Sequence, residues 1–258
     1  MRLVVKVGSS TLTHKTGKMN LDRFEALCRV LCDLANAGHE VVLVSSGAIA
    51  MGVSKLRLNE RPSDIPTKQA AASVGQSELM YMYDKFFSEY GHTVAQILIT
   101  GDDFSHVDRL CNFKNTVNRL LSLSAIPIVN ENDTVSTDEI KVGDNDTLSA
   151  LVAVNVGADL LVLLSDIDGL YTADPRKDEN ALLIPHISEI TEEVESLGGG
   201  AGSSVGTGGM KTKLAAAKIM MNDGHRMVIT NGERPADLYR IVNGEAVGTL
   251  FEKEDSHA

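Results

Sequence analysis

The chain has 258 residues, with 24 basic and 35 acidic side chains and a formal net charge of -11. Hydrophobic residues make up 43% and charged residues 23%, a balance that excludes a disordered chain and suits a large buried core. No apolar run approaches the ~18–20 residues a membrane-spanning helix needs. The acidic balance argues against a dedicated nucleic-acid binder, whose field is normally basic. Any anionic ligand must be met by local lysines and backbone N–H groups.

The N-terminal run contains few apolar residues, with Lys6 among them. It predicts a first strand over residues 3–7 rather than the apolar core of a signal peptide. Leu21, Phe24, Leu27, Cys28, Leu31, Leu34 and Ala35 then recur at three- and four-residue steps. This spacing predicts a helix with Asn20 as N-cap and Gly38 as stop. Cys28 and Cys32 fall on it as core-facing thiols. With Cys111 they make three cysteines, too few and odd in number for a disulfide framework, so a reducing, cytoplasmic compartment is expected.

Further apolar runs predict strands over residues 41–44, 94–99, 126–129, 160–164 and 227–229, most of them continuously apolar as in a parallel sheet buried on both faces. Helical patterns over residues 77–90, 112–123, 147–156 and 211–221 alternate with them. The expected fold class is α/β, a three-layer αβα sandwich around a mainly parallel sheet. Residues 53–68, with Pro62, Pro66 and mixed charge, are expected to form a loop or lid. Residues 198–209 hold seven glycines among twelve positions, either a flexible hinge or a phosphate-cradling loop. Residues 1–258 are expected to form one domain, whose two halves share a sheet and divide near residues 165–170.

Ligands of open parallel sheets bind beyond the carboxyl ends of the strands, so the residues after each strand are the candidates. Lys6-Val7-Gly8-Ser9-Ser10 suits a phosphate-facing ammonium, against a snorkelling lysine at a sheet edge. The Ser45–Gly52 segment, Ser45-Ser46-Gly47-Ala48-Ile49-Ala50-Met51-Gly52, opens a helix whose N–H groups could meet an anion, or is simply a tight turn in which glycine is needed for packing. Residues 203–213, ending in Gly209-Met210-Lys211-Thr212-Lys213, enter a helix, so backbone donors and ammonium groups converge; a disordered glycine linker with surface lysines is the plain alternative. Asn130, Asn132 and Asn145 with Asp133, Asp144 and Asp146 could hold an ammonium or an amino-acid amine; an ordinary Asn/Asp-rich turn is the plain alternative. Nothing matches the P-loop pattern, a G-x-G-x-x-G after the first strand, or a G-x-S-x-G elbow. The seven histidines show no metal-ligand spacing, so no all-protein metal site is expected, and Mg²⁺ carried on nucleotide phosphates fits better.

Several strings together carry a resemblance over almost the full length. They are Val5-Lys6-Val7-Gly8-Ser9-Ser10, Ser45-Ser46-Gly47-Ala48-Ile49-Ala50, Gln69 with Val74-Gly75-Gln76, and Val129-Asn130-Glu131-Asn132-Asp133. Gly143-Asp144-Asn145-Asp146, Asp168-Gly169-Leu170-Tyr171-Thr172-Ala173-Asp174-Pro175 and Gly206-Thr207-Gly208-Gly209-Met210-Lys211-Thr212-Lys213 complete the set. The chain resembles the amino-acid kinase superfamily, in the branch that phosphorylates the γ-carboxylate of L-glutamate at the start of proline synthesis.

The resemblance implies that Lys6 and Lys213 stabilise the transferring phosphoryl group and that Asp146 orients them. It implies acceptor binding at Ser46, Asp133 and Asn145, with Asn130 as an addition. It implies ATP binding at Lys6, Ser165, Asp166, Thr207, Gly208, Gly209, Met210, Lys211, Thr212 and Lys213. The acceptor half would span about residues 1–165 and the nucleotide half about 166–251. The resemblance further implies ATP with Mg²⁺, feedback inhibition by proline, and a homo-oligomer, dimer or tetramer. A glutamyl phosphate reductase is a chemically attractive partner, because the free acyl phosphate can cyclise. Many bacterial members continue into a C-terminal PUA-type domain; this chain is expected to be the short, kinase-domain-only form.

Overall fold

The computed structural model describes residues 1–14, 16–136, 145–198 and 209–253. From the N-terminus it runs β1 (Arg2–Val7), α1 (Ser9–Leu12), α2 (Leu21–Asn36), β2 (Glu40–Ser45), α3 (Ala48–Lys55), α4 (Ile65–Glu89) and β3 (Thr93–Ile99). A short 3₁₀ turn leads to α5 (Val107–Ser122) and β4 (Ala125–Glu131), then α6 (Asp146–Val156) and β5 (Leu160–Ser165). The chain continues through β6 (His186–Ile187), α7 (Glu192–Leu197), α8 (Met210–Asn222), β7 (Arg226–Asn231), α9 (Asp237–Val242) and β8 (Thr249–Phe251).

The strands form one eight-stranded sheet in the order β3-β4-β2-β1-β5-β7-β8-β6. Every pairing is parallel except β7 with β8. The expected αβα sandwich is therefore present. Strand alternation divides the core into two layers. Leu3, Val5 and Val7 face one side, packed with Phe24 and Leu27 of α2 and Leu79, Tyr83 and Phe87 of α4. Val4 faces the other, packed with Val117 of α5, Leu148 and Val152 of α6, and Leu214 and Met220 of α8. The core-facing cysteines are buried as expected, and burial pushes the Cys28 thiol well up and Cys32 up to about 12. Both stay protonated and act as small apolar groups.

Two sequence expectations change. Residues 53–68 are not one loop: α3 runs to Lys55 and α4 starts at Ile65, leaving residues 56–64 between them. Pro66 lies in the first turn of α4, where a missing N–H costs nothing, and Asp64 caps the helix by accepting from the Thr67 N–H at 2.9 Å. The proline that suggested a break thus marks a start, and α4 begins twelve residues before the predicted 77–90 segment. Likewise α5 starts at Val107 rather than 112. The strand at residues 94–99 lies at the sheet edge and is half-exposed, unlike the central strands. Among the described residues no helix is long and apolar enough to cross a membrane.

Candidate active site

The β1 alternation that buries Val4 also sends Lys6 to the face covered by α6 and α8. Lys6 is 5% exposed and Lys213, in the first turns of α8, is 7% exposed. Between them stands Asp146, fully buried at the first position of α6. Lys6 Nζ donates to Asp146 Oδ1 at 2.7 Å, and Lys213 Nζ donates to Oδ2 at 3.1 Å. Thr212 Oγ1 donates to the same Oδ2 at 3.0 Å. One carboxylate at a helix N-terminus, where the backbone dipole favours negative charge, thus fixes two ammonium groups from opposite halves of the sheet. Isolated buried charges would be prohibitively costly; a hydrogen-bonded cluster is tolerable, and its ammonium groups attract an anion.

Asn145, one residue before Asp146, belongs to a second network on the other face. In β4, Ile126 and Ile128 point toward the layer containing α4, so Asn130 does as well. Asn145 Nδ2 donates to Asn130 Oδ1 at 2.8 Å and to the Ser45 carbonyl at 3.3 Å. Asn130 Nδ2 donates in turn to Gln76 Oε1 of α4 at 2.9 Å. The approach of α4 depends on two glycines: a Cβ on Gly75 would lie 1.8 Å from the Ala48 carbonyl oxygen, and one on Gly52 would lie 1.7 Å from that of Ala71. The plain packing role weighed for the Ser45–Gly52 segment is therefore real for Gly52. Gly47, at φ 113°, caps α3 in the left-handed region that favours glycine.

The remaining acceptor candidates lie at the same edge. Ser46 is buried, and its N–H donates to the Val7 carbonyl at 3.1 Å, tying the ends of β1 and β2 together. Asp133 is buried just beyond β4; burial first and the neighbouring Glu131 second push its carboxyl up to about 7. Among the described residues, Asp133 Oδ1, Asn145 Oδ1 and Gln76 Nε2 are enclosed without a hydrogen-bond partner.

The nucleotide candidates divide. Ser165 ends β5 and is buried, its hydroxyl donating to Asp166 Oδ1 at 3.2 Å. Asp166 is exposed and paired with Arg176 at 2.9 Å. Gly209 caps α8 with no side-chain bond, and the Thr212 N–H donates to its carbonyl at 3.1 Å. Thr212 joins the Asp146 cluster, Lys211 faces solvent, and Met210 packs partly into the core. Thr207 and Gly208 lie outside the described residues. Sequence reasoning named Gln76 only as part of a resembling string; its place in the asparagine relay emerges from the fold. Nearby, Asp168 accepts from Asn231, Arg234 and Tyr171, hydrogen bonds that hold its carboxyl below the usual range despite partial burial.

A buried lysine–aspartate–lysine cluster at the carboxyl edge of an α/β sheet suits group transfer between anions. The chain belongs to the amino acid kinase family, whose description matches residues 1–231. Two relatives carry the name glutamate 5-kinase. One, from Carboxydothermus hydrogenoformans, is 58% identical over 97% of this chain and 67% of its own length. The other, from Clostridium acetobutylicum, is 56% identical over 97% of this chain and 94% of its own length. Among solved structures, a UMP kinase from Bacillus anthracis superposes with a TM-score of 0.65 at 16% identity, covering 98% of this chain and 96% of that one. An isopentenyl phosphate kinase from T. acidophilum gives 0.61 at 17% identity, covering 97% and 99%. These two likenesses are of fold.

Proposed function

We propose that this protein transfers the γ-phosphoryl group of ATP to the γ-carboxylate of L-glutamate, releasing ADP and L-glutamyl 5-phosphate, the first step of proline synthesis. The observation that carries the reading is the buried Lys6–Asp146–Lys213 cluster, next to the Asn145–Asn130–Gln76 relay, whose ends keep buried polar atoms without partners. The glutamate 5-kinase relatives support the acceptor assignment.

A glutamate side-chain carboxylate has a reference pKa of ~4.3, so near neutral pH it is already an anionic nucleophile and needs no general base. The difficulty is bringing it against a triphosphate. A γ-carboxylate oxygen bonds to the γ-phosphorus, the bond from that phosphorus to the β-phosphate bridging oxygen breaks, and the electron pair leaves with ADP. Lys6 and Lys213 neutralise the charge on the transferring group, and Asp146 holds their spacing before substrate arrives. Ser46, Asp133, Asn145 and Asn130 serve the acceptor half, about residues 1–165. Ser165, Asp166 and Thr207 to Lys213 serve the nucleotide half, about residues 166–251, where the N-terminus of α8 can offer N–H groups to phosphate.

Among the described residues no three His, Cys, Asp or Glu side chains are grouped to hold a metal ion, and Asp146 already accepts from three donors. Mg²⁺ fits as an ion carried on the nucleotide phosphates, where it would supply charge neutralisation. Proline shares an α-carboxylate and an α-nitrogen with glutamate, so it fits as a competitor for the acceptor pocket. A homo-oligomer, a cytoplasmic location and a reductase that takes the labile product complete the reading.

ADP release tests it, with L-glutamate, L-aspartate, N-acetylglutamate, carbamate or UMP supplied in parallel and hydroxylamine as acyl-phosphate trap. Turnover and hydroxamate with glutamate alone are expected. Turnover only with another acceptor would overturn the substrate; none from ATP-binding protein would overturn the kinase assignment.

A further inference from the structure

Side-chain amides present a donor and an acceptor that exchange on a flip, so their orientation must be argued from fixed partners. Here backbone groups fix it. The Glu131 N–H can only donate, and it meets Asn130 Oδ1 at 2.9 Å. Asn130 must therefore turn its NH₂ toward α4, where Gln76 has to answer with Oε1. The Ser45 carbonyl can only accept, and it meets Asn145 Nδ2. Asn145 must therefore leave its Oδ1 unspent. Among the described residues around this relay, Gln76 Nε2 is a buried donor without a partner, and Asn145 Oδ1 and Asp133 Oδ1 are buried acceptors without one. Gln76 is itself only 8% exposed.

Unmatched buried polar atoms are costly and uncommon in a folded protein. A donor on α4 with acceptors on residues 133 and 145 is the complement of a zwitterion: a carboxylate for the donor and an ammonium for the acceptors. We propose that Gln76 is a specificity-determining residue, its amide Nε2 donating to the α-carboxylate of the acceptor amino acid. The α-ammonium of the same molecule is taken by Asp133 and Asn145. The inference rests on the glutamate reading above and deepens it, because it explains how an α-amino acid is told from a simple dicarboxylate or an ω-amino acid. A site built around a substrate's polar groups rejects analogues that lack them, since its own buried groups then stay unpaired.

Gln76→Glu separates the two ends of the side chain. It keeps an oxygen to accept from Asn130, so the relay survives, but replaces the donor with an acceptor that repels carboxylate. The expected result is a KM for L-glutamate raised at least about tenfold, the loss of one charge-assisted bond, with the KM for ATP within about twofold. 4-Aminobutyrate lacks the α-carboxylate, and its inhibition constant against glutamate should not change. Glutarate, which keeps both carboxylates and lacks the ammonium, should weaken in step with glutamate. Gln76→Met, which removes both the donor and the oxygen that accepts from Asn130 without adding charge, should still raise the KM for glutamate while leaving 4-aminobutyrate unchanged, and serves if the glutamate variant fails to fold. An unchanged KM for glutamate in a folded variant, or equal weakening of 4-aminobutyrate, would overturn the assignment. Wild-type enzyme run alongside separates the two layers: no hydroxamate from it would sink the glutamate reading itself.

Discussion

Asn145 and Asp146 are neighbours in sequence, yet they belong to networks of opposite character. Around Asp146 every role is filled: two ammonium groups and a hydroxyl converge on one carboxylate at 2.7 to 3.1 Å. Around Asn145 the relay through Asn130 to Gln76 is complete, but its two ends and Asp133 keep enclosed polar atoms without partners. The filled network is scaffolding for charge, organised before any ligand arrives. The open one marks where a ligand must supply what the protein does not. One helix start, at the seam of β1 and β5, holds both.

The comparison breaks most sharply at Asp146. Asp146→Asn would remove the carboxylate that Lys6 and Lys213 share, a loss of about 3–5 kcal/mol for a broken buried pair. Urea unfolding should show that fall, and kcat should drop with it. The open network should respond differently: Asp133→Asn should leave the fold intact and raise the KM for glutamate.

Next in size is the helix approach that brings Gln76 to the pocket. Gly75→Ala must push α4 off α3 to relieve the 1.8 Å approach, and overpacking of this kind costs about 1–3 kcal/mol. A rise in glutamate KM should accompany the lower melting temperature. Stability loss with an unchanged KM would separate the packing from the pocket.

A pH series sharpens the contrast. Burial and Glu131 push the Asp133 carboxyl up to about 7, so below that pH the free enzyme carries a proton where the ammonium should sit. kcat/KM for glutamate should fall about tenfold per unit on the acid side. The folded pKa lies above the unfolded value of ~3.9. The ligand-free protein therefore gains stability from this group below about pH 4 and loses it as pH rises toward about 7. Glutamate should oppose that loss; an Asp133→Asn enzyme with the same acid limb would contradict the assignment. The smallest effect lies far from both networks: Asn20→Ala, removing the cap that accepts from the Arg23 N–H at 3.2 Å, should cost about 1 kcal/mol and leave both KM values unchanged.

The central strands were legible because four- to five-residue apolar runs buried on both faces have few other readings. Lys6, Asp146 and Lys213 were legible as candidates because charge beside glycine at strand ends rarely serves packing. Their convergence came from the resemblance alone, since in the fold it depends on α6 and α8 covering the same face of β1. The start of α4 was missed because Pro66 was taken as a break, whereas Asp64 and Thr67 make it a capped beginning. β6 and β8, with two and three residues, are too short for any periodic signal. Gln76 gave no chemical signal in sequence: a glutamine on an amphipathic helix looks solvated, and only the forced orientation of Asn130 shows otherwise.

The most direct test of the central claim is kcat for Lys213→Ala, with circular dichroism and ATP binding showing that the variant is folded and loaded. If Lys213 neutralises the transferring phosphoryl group, hydroxamate formation from glutamate should fall about 10²–10³-fold, as when a transition-state donor is removed. A folded, ATP-bound variant with undiminished kcat would contradict the account.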